Sequence, residues 1–219
     1  MFCIRKNLPK YLLFAIGTSV PFVAAAQYSE TDEPSARPVW VKQKAITEAF
    51  RFSVLTAPDD SEYVAPRALK IYDRRTAKLV QAFSNIDSGS PHVGANSLVT
   101  IVDANFDGQP DIMLAMDSGG AGPNNTASFY LYDPMGCRFV LDQKLSSLTQ
   151  VRINRDRTIS SFGRGGCCVY GEERYRYIGN QLTLVFSQVT EASNAEKATV
   201  TTGRRINGKM KYVTRTVMD

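Results

Sequence analysis

The chain reads as an all-β, antiparallel domain, either a two-sheet sandwich or a propeller-like fold, with one calcium loop. Three observations point there. Short runs rich in Val, Ile, Thr, Tyr and Phe recur along most of the chain, turn-forming clusters separate them, and no strand–helix–strand rhythm interrupts the series. In order, the runs are "FRFSVLTA", "RALKIYD", "KLVQAFSNI", "SLVTIVD", "IMLAMD", "ASFYLYD", "CRFVLDQ", "TISSFGR", "RYRYI", "QLTLVFSQV", "ATVTTGRRI" and "KMKYVTRTV". Between them stand "APDD", "DRRT", "DPMG", "NRDR", "GN" and "NG". Their Asp, Asn, Pro and Gly either tolerate or pre-set turn dihedrals. Asn207-Gly208 is the clearest hairpin signal, because a two-residue turn needs positive φ at both central positions. Helix is expected at most in "PVWVKQKAITEAF" (38–50) and "LSSLTQV", neither of which is long or strongly periodic.

The first 26 residues differ from the rest. Arg5, Lys6 and Lys10 precede the apolar run "YLLFAIGTSVPFV", which is followed by Ala24, Ala25 and Ala26. That order is expected of a secretory signal peptide cut before Gln27, delivering the chain to the periplasm. The apolar run is short for a membrane span, so no insertion is expected once it is removed. The polar stretch "QYSETDEPSAR" (27–37) is expected to be disordered, leaving 38–219 as a single β domain. Three cations leave with the signal, so the formal charge of +5 falls to +2 and the basic pI gives no case for nucleic acid. The tail "RRINGKMKYVTR" is nonetheless locally basic: it could face an acidic partner, or its cations could simply guard a sheet edge.

Cys137, Cys167 and Cys168 remain after cleavage. In an oxidising compartment a bridge from Cys137 to Cys167 or Cys168 is expected, with one thiol left over. A vicinal Cys167–Cys168 bridge is disfavoured if both lie on a strand, where neighbouring side chains point to opposite faces.

The stretch "DANFDGQPDI" carries the most specific chemistry. Asp103, Asn105, Asp107 and Asp111 occupy positions 1, 3, 5 and 9 of a loop, with Gly108 at position 6 and the carbonyl of Gln109 at position 7. Ca²⁺ takes six to eight oxygens at about 2.3–2.6 Å, which alternate side chains of a tightly wound loop can supply. Closely packed carboxylates repel one another unless a cation lies between them. Position 12 is Leu114, so the bidentate Glu of an EF-hand is missing and Asp111 must close the shell.

A D-x-N-x-D-G-x-x-D-I loop between strands resembles the calcium loops of integrin-type FG-GAP repeats. Together with the exported N-terminus and this loop, "ISSFGRGGCCVYGEERYRYIGNQLTLV" (159–185) and "SFYLYDPMGCRFVLDQKLSSLTQV" resemble bacterial periplasmic β proteins similar to inhibitors of invertebrate-type lysozymes. The resemblance spans roughly residues 50–190. It implies an immunity-type inhibitor whose partner is a lysozyme-like peptidoglycan hydrolase. Such enzymes place two carboxyl groups in a sugar-binding cleft, and a rigid loop bearing hydroxyls, amides and cations can block it. Two loops qualify. "DSGGAGPNNT" (117–126) offers Ser118, Gly119 and Asn124, and "GRGGCCVYGEE" (163–173) offers Arg164 and Tyr170. The related inhibitors carry a Ser-Gly-containing loop with a nearby Tyr; here Ser118-Gly119 has no Tyr following at close spacing.

An enzyme is the less economical reading. His92 is the sole histidine and stands in a loop-like segment, where a solvated imidazole is the usual case. Asp59 and Asp60, or Glu172 and Glu173, are adjacent in sequence, so a strand would turn each pair to opposite faces. "GRGG" neither opens a helix nor precedes Lys-Ser/Thr, so no phosphate loop is present. The alternative to an inhibitor is a calcium-stabilised envelope binding or adhesion module, although one unrepeated calcium loop argues against a complete FG-GAP propeller.

Overall fold

Pairing of consecutive strands organises the whole fold. The computed structural model describes residues 37–58, 62–119, 124–194 and 197–218. The expected signal peptide, residues 27–36 of the polar segment, and Asp59 and Asp60 lie outside the described residues. Residues Ala36–Asp219 form one compact unit.

Three antiparallel sheets follow in chain order, each a meander. The first joins β1 (Val39–Ile46), β2 (Phe50–Pro58), β3 (Val64–Asp73) and β4 (Leu79–Phe83). The second joins β5 (Val99–Val102), β6 (Asp111–Asp117), β7 (Thr126–Asp133) and β8 (Arg138–Leu141). A one-turn helix α1 (Gln143–Ser146), capped by Asp142 accepting from the Leu145 amide at 2.9 Å, leads into the third sheet. That sheet runs β9 (Arg152–Ile153), β10 (Ile159–Gly165), β11 (Val169–Ile178), β12 (Gln181–Asn194), β13 (Lys197–Ile206) and β14 (Lys209–Met218), leaving β14 at the edge. The all-β antiparallel class is thus what forms, but with three sheets in place of the two of a simple sandwich.

The middle sheet is buried on both faces, which its sequence explains. β6 and β7 carry the unbroken apolar runs Ile112–Met116 and Phe129–Tyr132, so alternation sends one set to each side. Ile112, Leu114 and Tyr130 pack with Phe52, Val54, Leu69, Ile71 and Phe139 in the core shared with the first sheet. Their chain neighbours Met113 and Phe129 face a second core with Leu145, Ile159, Tyr175 and Leu182 of the third sheet and its approach.

Two glutamines bolt the first sheet to the second. The Gln43 side chain accepts from the Leu98 and Val99 amides at 2.9 and 3.2 Å and donates to the Ala95 carbonyl at 2.9 Å. Gln81 exchanges two 2.8 Å hydrogen bonds with the backbone of Phe139, so its amide imitates a strand residue. Gln43 is buried, and full pairing is what makes such a polar group tolerable there.

Three expectations need correction. Residues 38–50 hold no helix: β1 and the start of β2 occupy them, because Val41, Gln43 and Ala45 alternate with exposed Trp40, Lys42, Lys44 and Ile46 on an edge strand. The second helical expectation is met only in part, since α1 ends at Ser146 and Gln150 takes positive φ. The expected bridge from Cys137 to Cys168 does not form, for Cys167 and Cys168 pair with each other. They sit in the turn between β10 and β11, not on a strand, so the opposite-face argument does not apply to them. Asn207-Gly208 does form the two-residue turn joining β13 to β14, with φ of 49° and 79°.

Candidate functional site

The loop 103–111 joins β5 to β6 and is wound by its own acids. The Asp103 carboxylate accepts from the Asp107 and Gly108 amides at 3.0 and 3.1 Å. Asn105 accepts from the Asp107 amide at 3.1 Å and donates to its carboxylate at 2.8 Å, and Asp107 accepts from the Gln109 amide at 2.7 Å. Gly108 has φ of +81° with open space around it, so backbone conformation and not crowding requires glycine there. Arg157 ties the loop to the turn before β10 by donating to the Phe106 carbonyl at 3.0 Å.

Asp111 behaves differently from the other acids. It is fully buried, and each of its oxygens accepts one backbone amide, from Ala104 and from Tyr132, both at 2.8 Å. Burial pushes its carboxyl up to about 6, against the pull of those two amides, and the negative charges of Asp107 and Asp103 push the same way. Asp103, Asn105, Asp107 and the Gln109 backbone therefore gather around the loop, while Asp111 anchors it to β7 from below. Among the described residues no group of three or more His, Cys, Asp or Glu closes on a common point. The donor set is nonetheless all oxygen, the type a hard cation takes, and a carboxylate oxygen that accepts one amide keeps a further lone pair.

At the other end of β6, the residues chosen from two separate loops meet. Asn124 donates to the Arg164 carbonyl at 3.1 Å and accepts from the Arg164 amide at 3.0 Å. This reciprocal pair joins the 117–126 loop to the tip of the β10–β11 hairpin. The Arg164 guanidinium donates to the carbonyls of Gly166 and Cys167 at 3.0 and 3.2 Å and lies 5.3 Å from the centre of the Tyr170 ring. The Tyr170 hydroxyl reaches the Cys167 carbonyl at 3.2 Å, while the residue is 48% exposed. Gly119, at φ +66°, lies so near the Asn124 backbone that a Cβ would fall 2.6 Å from it, so only glycine permits that approach. All five residues expected to meet a partner, Ser118, Gly119, Asn124, Arg164 and Tyr170, thus belong to one connected strip.

The strip also includes Tyr63, which sequence reasoning passed over, and His92, which it read only as a solvated imidazole. The Ser118 hydroxyl accepts from the His92 amide at 2.6 Å, and the His92 ring stacks on Tyr63 with centroids 4.6 Å apart. No tyrosine follows Ser118 at close spacing in sequence, but Tyr63 stands a single residue, His92, away in space. A cavity of about 210 Å³ opens beside them, lined in part by His92, Asp117, Ser118, Asn125 and Thr126. Gly89 makes this approach possible, since a Cβ there would meet the Asp117 carboxylate at 2.7 Å. Nothing in local spacing could have joined Tyr63 to Ser118, because β3, β4, β5 and β6 lie between them.

Glu172 and Glu173 face opposite sides of β11. Glu172 pairs with exposed Arg174 at 2.8 Å, and Glu173 accepts from the hydroxyl of buried Tyr175 at 2.6 Å. Buried beside that carboxylate, the Tyr175 phenol is held well above its ordinary range.

No protein-family model matches the chain, and no curated protein sequence matches it. A solved structure described as a Xanthomonas type IV secretion system related protein shares the fold, with a TM-score of 0.59 over 84% of this chain and 95% of that one. The two are 18% identical, so the likeness is one of architecture. No helix among the described residues is long and apolar enough to cross a membrane.

Proposed function

We propose that this chain is an exported, calcium-binding inhibitor of a lysozyme-like peptidoglycan hydrolase, of the immunity type, and that it is not itself an enzyme. The observation that carries the reading is the reciprocal Asn124–Arg164 pair. Two loops, each suited on its own to enter a sugar-binding cleft, are fastened into one exposed edge by backbone-quality hydrogen bonds. An edge ordered before contact loses less entropy on docking. Ser118 and Tyr170 offer hydroxyls, and Arg164 a guanidinium, to the paired carboxyl groups such a cleft contains. The architectural neighbour's connection with a bacterial secretion system is in keeping with an envelope protein.

In this reading Ca²⁺ is held by Asp103, Asn105, Asp107, the Gln109 carbonyl and Asp111. Bound there, it supplies charge neutralisation and rigidity, not chemistry. Because Asp111 opens β6 and Asp117 closes it, ordering the loop at one end restrains the loop at the other.

Clearance of peptidoglycan suspensions by a panel of lysozymes, with the protein titrated in, tests the proposal. Stoichiometric loss of activity for one enzyme, relieved by Asn124→Ala, is the expected result. Failure to inhibit any member of the panel would favour an envelope binding module without inhibitory activity.

A further inference from the structure

The edge of the third sheet presents a surface that the inhibitor reading does not use. Between Lys197 and Met218 the hairpin carries six cations, Lys197, Arg204, Arg205, Lys209, Lys211 and Arg215, and no acid. Strand register sets Arg174, Phe186, Arg204 and Lys211 in one row across four neighbouring strands, with Gln188, Thr202 and Val213 in the next. All of these but Arg174, together with Ile206 and Arg215, line an open groove of about 500 Å³. Glu172 engages Arg174, and among the described residues no ion pair engages Arg204, Lys211 or Arg215.

Guarding a free edge explains the cations but not their apolar company. Ile206 is 45% exposed and Val213 69% on the groove side, while Tyr212, 59% exposed, stands on the opposite side of β14. A stacking platform for nucleic acid bases is not offered, since guanidiniums from both adjacent strands, Arg174 and Arg204, already lie 5.4 and 5.5 Å from the centre of the Phe186 ring. Cations interleaved with exposed Ile206 and Val213 on the groove side match what an anionic bilayer surface takes. Phosphate headgroups meet the charges, and the apolar ends of Ile206 and Val213 reach the headgroup boundary. We propose that the β13–β14 hairpin is a docking surface for an anionic lipid bilayer, independent of the loop strip.

Co-sedimentation of the full chain with phosphatidylcholine vesicles, with and without phosphatidylglycerol, tests this. The apolar run near the N-terminus is common to every variant, so differences between variants report the hairpin. Binding is expected to rise with phosphatidylglycerol and fall with added salt. Arg204→Gln with Lys211→Gln should weaken it roughly 30-fold, at about fivefold per cation removed. The same charge loss placed elsewhere, Arg74→Gln with Lys78→Gln in the β3–β4 turn, should leave most binding intact. Ile206→Ser with Val213→Ser should also weaken it. Insensitivity to phosphatidylglycerol, or equal losses from the two charge pairs, would overturn the proposal. So would unchanged binding in the Ile206/Val213 variant, which would make the surface a site for any polyanion.

Discussion

The middle sheet and the last hairpin are built from the same residue types and meet opposite fates. Tyr130, in β7, is buried between Phe83 and the first core, whereas Tyr212, in β14, is 59% exposed. Both strands are rich in the β-branched and aromatic residues that suit a pleated backbone. What separates them is the number of covered faces. β7 has a neighbouring sheet on each side, while β14 has one pairing partner and cations on alternate positions. Composition alone therefore says strand, and only the placement of charge says which strands lie inside.

The largest expected effect tests the covered side of this contrast. Phe129→Ala removes a fully buried ring from the second core, and thermal or urea unfolding should show a loss of about 3–5 kcal/mol. Gln43→Ala comes next. It strips acceptors from the Leu98 and Val99 amides in a buried place, at a cost of about 2–3 kcal/mol. A loss within error would mean that water replaces the side chain there.

Calcium removal should act on the middle sheet from its end. For a site of about 10⁻³ to 10⁻⁴ M, as in extracellular modules, 10 mM calcium should stabilise the fold by about 1.4–2.7 kcal/mol. Asp103→Ala or EDTA should abolish that increment, read as the shift of the unfolding midpoint with added calcium.

Asp111 gives this region its own pH signature. Its folded carboxyl titrates near 6, above the unfolded value of about 3.9, so the folded state holds the proton more tightly. Without calcium, its contribution favours folding below about pH 4 and is lost as the pH rises through 6. Asp111→Asn should flatten that part of the stability profile while lowering it throughout, because an amide cannot accept both backbone N–H groups. The smallest effect belongs to the exposed side: Val213→Ala should move stability by no more than about 0.5 kcal/mol.

Much of this was readable in the residues, and the exceptions have physical causes. The Asn207-Gly208 hairpin and the loop from Asp103 to Asp111 were legible because each depends on dihedrals or spacing contained within a few residues. β1 was not legible: an edge strand whose buried anchor is Gln43 carries no apolar stripe. The Cys167–Cys168 pair was misjudged because the end of β10, and with it the turn, falls where "GRGGCC" offers several glycines to choose from. The Tyr63–His92–Ser118 cluster was invisible because tertiary packing alone assembles it.

The meander order has a consequence for how the molecule comes together in time. Every ladder joins neighbours in sequence, so each sheet can zip from a local hairpin without closing a long loop. The glutamine bolts are the contrary case, spanning 55 residues from Gln43 to Leu98 and 58 from Gln81 to Phe139. They can engage only after two sheets exist. Loss of either glutamine should accordingly quicken unfolding far more than it slows folding, a division that the two limbs of a denaturant chevron would resolve.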